Sequence, residues 1–142
     1  MLSTGASHLH EICEALDWID PQGKEVALMH FILNSPCGDV NANLGMMLDL
    51  KRRFPERMLG YSDHTLPGDM HAIEVATLLG ARVIEKHFTH DKGLPGRGQV
   101  NRVQSNRMNY FTGTCWSDPD RRRGVADRVW INIAMDLESP NL

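Results

Sequence analysis

Two kinds of apolar run alternate along the chain. After Leu2-Ser3-Thr4-Gly5, the residues Leu9, Ile12, Cys13, Leu16 and Ile19 recur at i, i+3, i+4, i+7 and i+10. That spacing predicts an amphipathic helix over residues 7–20, with Ser7 as its N-cap. PQGK makes a turn, and Glu25–Leu33 (EVALMHFIL) is then apolar almost without interruption, at strand length. A continuous run suits a strand covered on both faces, as in a parallel sheet. Helical spacing returns with Leu44, Met47, Leu48 and Phe54 and stops at Pro55, before a short strand over Arg57–Tyr61. Asp69 can cap a third helix carrying Met70, Ile73, Ala76 and Leu79, closed by Gly80. A third run, Arg82–Phe88, reads as a strand, and Leu2-Ser3-Thr4 as the end of an earlier one. Helix and strand in strict alternation predict an α/β protein of parallel βα units, in an open doubly wound sheet or in a barrel.

Composition narrows the class. A chain of 142 residues is long enough for one domain with a real core. A formal charge of −3 with 23% charged residues lacks the single-sign excess that nucleic acid or an anionic membrane would require, so neither is an expected partner. Cys13, Cys37 and Cys115 are odd in number and widely spaced, which indicates neither a disulfide framework nor a thiolate zinc site. No apolar run approaches a membrane span and no leader pattern opens the chain, so the cytoplasm is the expected compartment. Beyond Gly96 the character changes: residues 97–142 hold seven arginines and no lysine, whereas upstream four Arg and four Lys share the charge. The reading is therefore 1–96 as a βα unit and 97–142 as a diverged or poorly ordered tail, within which VADRVWINIAMDL could form one short helix or strand.

The chemistry concentrates in two stretches, GYSDHT at 60–65 and IEKHFTHD at 84–91. Both fall at the C-terminal ends of predicted strands, where parallel βα proteins gather functional side chains. If those strands are neighbours, their ends lie about 5 Å apart, and His64 and His87 could share one metal ion. Period 2 puts Glu85 and His87 on one face of the last strand and Lys86 on the other. Asp63 and Glu85 are the candidate catalytic carboxylates beside these histidines. The competing reading is two strand-end histidines hydrogen-bonded to loop backbone, because two imidazoles without a third ligand carry little weight by spacing. Imidazole, carboxylate and water together would suit Mn, Co, Mg or Zn. Ser3-Thr4-Gly5 at a strand end is either a phosphate contact or a tight glycine turn before a capped helix. His30, inside an apolar strand, reads as a core histidine, Cys37 has no base placed to activate it, and LPGRG at 94–98 lacks a P-loop pattern.

Together these strings resemble a known family. LSTG, LMHFILNSP, NLGMMLDLKRRFP, GYSDHT, LLGARVIEKHFTHD and LPG are similar, in order and spacing, to the N-acetylneuraminate (sialic acid) synthases. Residues 1–96 resemble strands five to eight of that family's (β/α)8 TIM-type barrel. The resemblance implies a transferase that joins phosphoenolpyruvate to N-acetylmannosamine or a related sugar, with release of phosphate, using a divalent metal (Mn, Mg or Co). By position, His64 and His87 match the family's metal ligands. Ser3 and Ser62 match hydroxyls that hold phosphoenolpyruvate, and Asn34 lies in a loop that supplies further substrate contacts.

The departures from that pattern are specific. Ser35 stands where the family commonly has Tyr, and Gly98 stands where its PGxD motif has a carboxylate. Strands one to four and the family's antifreeze-like domain are not recognisable. The expectation is a partial enzyme whose open sheet edges favour association with itself, as a homo-oligomer, or with a missing half. The alternatives are a non-catalytic binding or assembly module and another metal-dependent aldolase or lyase.

Overall fold

The structure, a computed structural model, describes residues 1–68 and 70–89, together with the backbone of two further strands at Val103–Gln104 and Trp130–Met135. The chain runs β1 (Leu2–Ser3), α1 (Leu9–Ile19), β2 (Ala27–His30), α2 (Gly45–Arg53), β3 (Met58–Asp63), α3 (His71–Leu78) and β4 (Ala81–Thr89), followed by β5 (Val103–Gln104) and β6 (Trp130–Met135). Strands β1 to β4 lie side by side in chain order, every pair parallel, with one helix in each connection. Both β5 and β6 pair with β4, also in parallel. The alternation seen in the sequence is thus the architecture of the sheet.

The register assigns every strand residue to a face. Leu28 pairs with Leu59, Tyr61 with Ile84 and Asp63 with Lys86. Leu28, Leu59, Tyr61 and Ile84 join Ile12 and Leu16 of α1, Met47 and Leu50 of α2, and Ile73 and Ala76 of α3 in the buried core. The helices therefore cover this face. The other face carries Ser3, Met29, Gly60, Ser62, Val83, Glu85 and His87, and none of these joins that core.

Element ends differ from the sequence expectations for local reasons. Helix α1 starts at Leu9 with His8, not Ser7, as its N-cap. The Ser7 N–H is occupied by the Thr4 carbonyl at 3.2 Å, while the Glu11 carboxylate accepts the His8 N–H at 2.6 Å. Strand β2 ends at His30 rather than Leu33 because its neighbour β1 has only two residues and the chain turns away at Phe31. Gly5 marks that turning point: a Cβ there would sit 2.3 Å from the Phe31 carbonyl oxygen. Strand β3 runs two residues further than expected, to Asp63. Met70 precedes α3 in a left-handed conformation. The expected cap Asp69 lies outside the described residues, as do Gly98 and all of the 97–142 segment except β5 and β6.

Candidate active site on the open face of the sheet

Two polar residues of β3 and β4 meet on the face away from the helices, open only in that no helix packs on it, since Met29, Gly60, Ser62 and Val83 are themselves buried there. The Ser62 hydroxyl donates to Glu85 Oε1 at 2.8 Å, as direct register partners should. One step past the last paired residues, the rings of His64 and His87 approach with centroids 5.5 Å apart and planes at 47°. Phe31, arriving from the end of β2, packs against His64 with centroids 5.5 Å apart. A row of serine, carboxylate and two imidazoles thus crosses the C-terminal ends of two adjacent strands.

His64 has an unspent ligand atom. Its Nδ1 is buried with no hydrogen-bond partner of good geometry among the described residues, although the Ile32 backbone lies close enough to the ring to act on its pKa. Burial lowers its pKa below the ordinary histidine value, and the neighbouring His87 lowers it further, against a smaller opposing contribution from the Ile32 backbone. The ring is therefore held neutral, the form in which imidazole ligates a metal. A buried, neutral, unpartnered nitrogen beside a second imidazole fits a shared cation, with His64 and His87 as the donors. No group of three or more His, Cys, Asp or Glu converges among the described residues, so any further ligands would be water, substrate or side chains supplied from elsewhere.

The remaining expected residues are placed unevenly. Ser3 lies on the open face, but level with Met29 and Gly60, two residues short of Ser62. Two strand spacings, about 10 Å, separate it from β3. Asn34 is exposed in the loop after β2. Asp63, the second candidate catalytic carboxylate, is on the opposite, helix-covered face. Its Oδ2 lies 2.8 Å from the Lys86 ammonium in an ion pair whose two side chains are 1% and 3% exposed. Its Oδ1 accepts from the Tyr61 hydroxyl at 3.0 Å and from the Thr65 N–H at 2.9 Å. His30 is buried, as the sequence suggested, with Nε2 2.9 Å from the Ala42 carbonyl oxygen and its ring stacked on Tyr61. The sequence reading missed the Asp63–Lys86 pair. A lysine within a buried strand needs a nearby carboxylate, and that signal was available.

Comparison with known proteins bears on the family and the fold. The NeuB family profile matches residues 1–114. The spore coat polysaccharide biosynthesis protein SpsE of Bacillus subtilis is 37% identical over 100 residues, covering 68% of this chain and 26% of that protein. The N,N'-diacetyllegionaminic acid synthase of Legionella pneumophila is 40% identical over 116 residues, 76% of this chain and 31% of its own. The crystal structure of the sialic acid synthetase of Leptospira borgpetersenii in complex with citrate superposes with a TM-score of 0.70 at 28% identity, over 77% of this chain and 37% of that one. The chain thus spans about a quarter to a third of the curated relatives it matches. With most of its length matched by the profile and its parallel sheet shared with a solved synthetase, the chain belongs to the NeuB family of sialic-acid-synthase-like proteins.

Proposed function

We propose that this chain supplies strands five to eight of a (β/α)8 barrel and the cation-binding part of a site that condenses phosphoenolpyruvate with N-acetylmannosamine or a related sugar, releasing phosphate. The observation that carries the reading is the buried, unpartnered Nδ1 of His64 beside His87 at the C-terminal ends of adjacent parallel strands. His64 and His87 would hold a divalent ion (Mn, Mg or Co), which when bound would polarise and orient the sugar aldehyde as a Lewis acid. Ser62 donates its one proton to Glu85, so its hydroxyl can donate to an oxygen of phosphoenolpyruvate only by turning away from that carboxylate. Glu85, on the same face as His87, is the carboxylate placed to accept or return a proton. Asp63, committed to the far face, is not assigned a contact with substrate. Ser3 and Asn34 would contribute binding contacts from β1 and the loop after β2.

Turnover requires more than this half. Holding the reacting carbons at attack distance can be worth roughly 7–11 kcal/mol, and Ser35 offers the sugar no aromatic contact. Among the described residues β1 pairs only with β2, which leaves an edge for another half barrel or a second copy.

Two measurements test the reading. Calorimetric titration with Mn(II) should show one ion bound, with affinity lowered roughly 100-fold by His64→Ala and by His87→Ala, and weaker in acid solution, where the His64 ring, whose pKa burial lowers below the ordinary histidine value, takes up a proton. Unchanged affinity in both variants would remove the metal assignment. Phosphate release from phosphoenolpyruvate with N-acetylmannosamine should be absent for the chain alone and appear on addition of a first-half barrel. Brisk release by the chain alone would show a sugar site built from other residues.

A further inference from the structure

We infer that the buried Asp63–Lys86 ion pair, on the face of the sheet away from the site, is a positioning device that sets the directions of His64 and His87. Each member of the pair is the immediate chain neighbour of one histidine, and Asp63 and Lys86 are direct register partners. Successive strand side chains point to opposite faces. Fixing Asp63 and Lys86 under the sheet therefore fixes what emerges above it one residue later.

The pair is tied in from several sides, as a positioning device must be. Lys86 Nζ donates to the Thr65 carbonyl oxygen and lies against Asp63 Oδ2. Asp63 Oδ1 takes the Thr65 N–H and the Tyr61 hydroxyl. Through these bonds Lys86 of β4 grips Asp63 and Thr65, the residues on either side of His64. The Cys37 N–H donates to the His64 carbonyl at 2.9 Å, and Cys37 bridges Thr65 in parallel. The backbone on both sides of His64 is thus pinned from β4 and from the loop after β2, while its ring is left to the open face. Asp63 and Lys86 lie on the face of the sheet away from Ser62, Glu85 and His87. The inference is that their charges are used to hold two imidazoles at one separation, and it rests on the proposed use of those imidazoles for its consequence in function.

The test uses the full chain with Asp63→Asn/Lys86→Met, which removes both charges yet leaves Asn able to accept from Thr65 and Tyr61, and with the milder Tyr61→Phe. Urea denaturation establishes that each variant is folded under the conditions used. In the metal-free chain, nuclear Overhauser cross-peaks between the His64 and His87 ring protons should be present in the wild type, weakened in Tyr61→Phe and lost in the double variant. Mn(II) affinity should fall about tenfold in the folded double variant, the scale at which groups that orient metal ligands act. Cross-peaks of wild-type intensity in a folded double variant would overturn the inference, whatever the metal does. If instead the cross-peaks are lost as expected but His64→Ala and His87→Ala leave Mn(II) binding unchanged, the positioning stands and the metal assignment fails. Should the double variant not fold, Tyr61→Phe decides: unaltered cross-peaks and affinity would overturn the inference.

Discussion

The two faces of the same four strands treat polar side chains in opposite ways. Under the helices, Tyr61, Asp63, Lys86 and His30 are buried and each has a partner, although Asp63 Oδ2 is met only by the Lys86 charge and accepts no well-formed hydrogen bond. On the open face, Ser62 and Glu85 bond to each other, but His64 keeps a buried nitrogen without one. Desolvating a polar group without a partner costs free energy, so a fold optimised for stability alone would satisfy or delete it. The helix-side face compensates its unbonded carboxylate oxygen with a countercharge and the other face leaves the His64 nitrogen uncompensated, although adjacent residues of one strand supply both. That contrast can be broken or sharpened by substitution.

The largest effect is expected under the helices. Lys86→Met should destabilise the chain by about 3–5 kcal/mol, because it leaves the Asp63 carboxylate buried without its countercharge. Asp63→Leu/Lys86→Met should recover most of that loss, since an apolar pair needs no compensation. Urea denaturation of the three chains measures both. A loss below about 1 kcal/mol for Lys86→Met would put the pair in the class of solvated ion pairs and dissolve the distinction between the faces.

A smaller effect is expected where the open face is packed by backbone. Gly5→Ala should cost about 1–3 kcal/mol, as overpacking does, because its Cβ would meet the Phe31 carbonyl oxygen at 2.3 Å and the Phe31 ring at 2.6 Å. Gly60→Ala should cost less, although its Cβ would lie 2.1 Å from Met29 Sδ, because the end of a methionine side chain can swing aside. Thermal unfolding compares them. Equal losses would mean that Met29 is locked and that this part of the open face is as rigid as the core.

How much of this was legible beforehand depends on the range of the interaction. The alternation of helical and strand spacing is local, and it yielded the three α-helices among the described residues, the parallel pairing and the strands carrying GYSDHT and IEKHFT. The face shared by Glu85 and His87 followed from period 2 alone. What local pattern could not supply was which long-range partner each polar group would find. In the sequence Asp63 is a candidate catalytic carboxylate beside the histidines, and only the β3–β4 register reveals that it faces Lys86 across the far side of the sheet. Ser3 is a candidate both from its place at a strand end and from resemblance, Asn34 from resemblance alone, and the register places Ser3 well short of the histidine pair. Strand ends were misjudged where neighbouring strands, not propensity, decide them, as at Phe31.

The smallest effect should come from the His64 ring, whose Nδ1 lacks a hydrogen bond, and its sign should depend on pH. With a chelator present at pH 7.5, His64→Ala should change stability by no more than about 1 kcal/mol, since the ring is only half-buried and gives up no ion pair. Burial, and then the proximity of His87, hold the His64 pKa below the ordinary value of about 6.5. As pH falls through 6.5, an unfolded chain takes up a proton at this position before the folded chain does. The unfolded state then binds more protons, and stability declines with falling pH. His30 adds a slope of the same sign, because burial lowers its pKa more than its bond to the Ala42 carbonyl raises it. Removing His64 deletes one of these two contributions. Between pH 6.5 and 5 the variant should therefore lose stability less steeply than the wild type and gain on it as the solution is acidified. Parallel slopes for the two chains would show that His64 is as easily protonated folded as unfolded, and the open face would lose the feature that most separates it from the covered one.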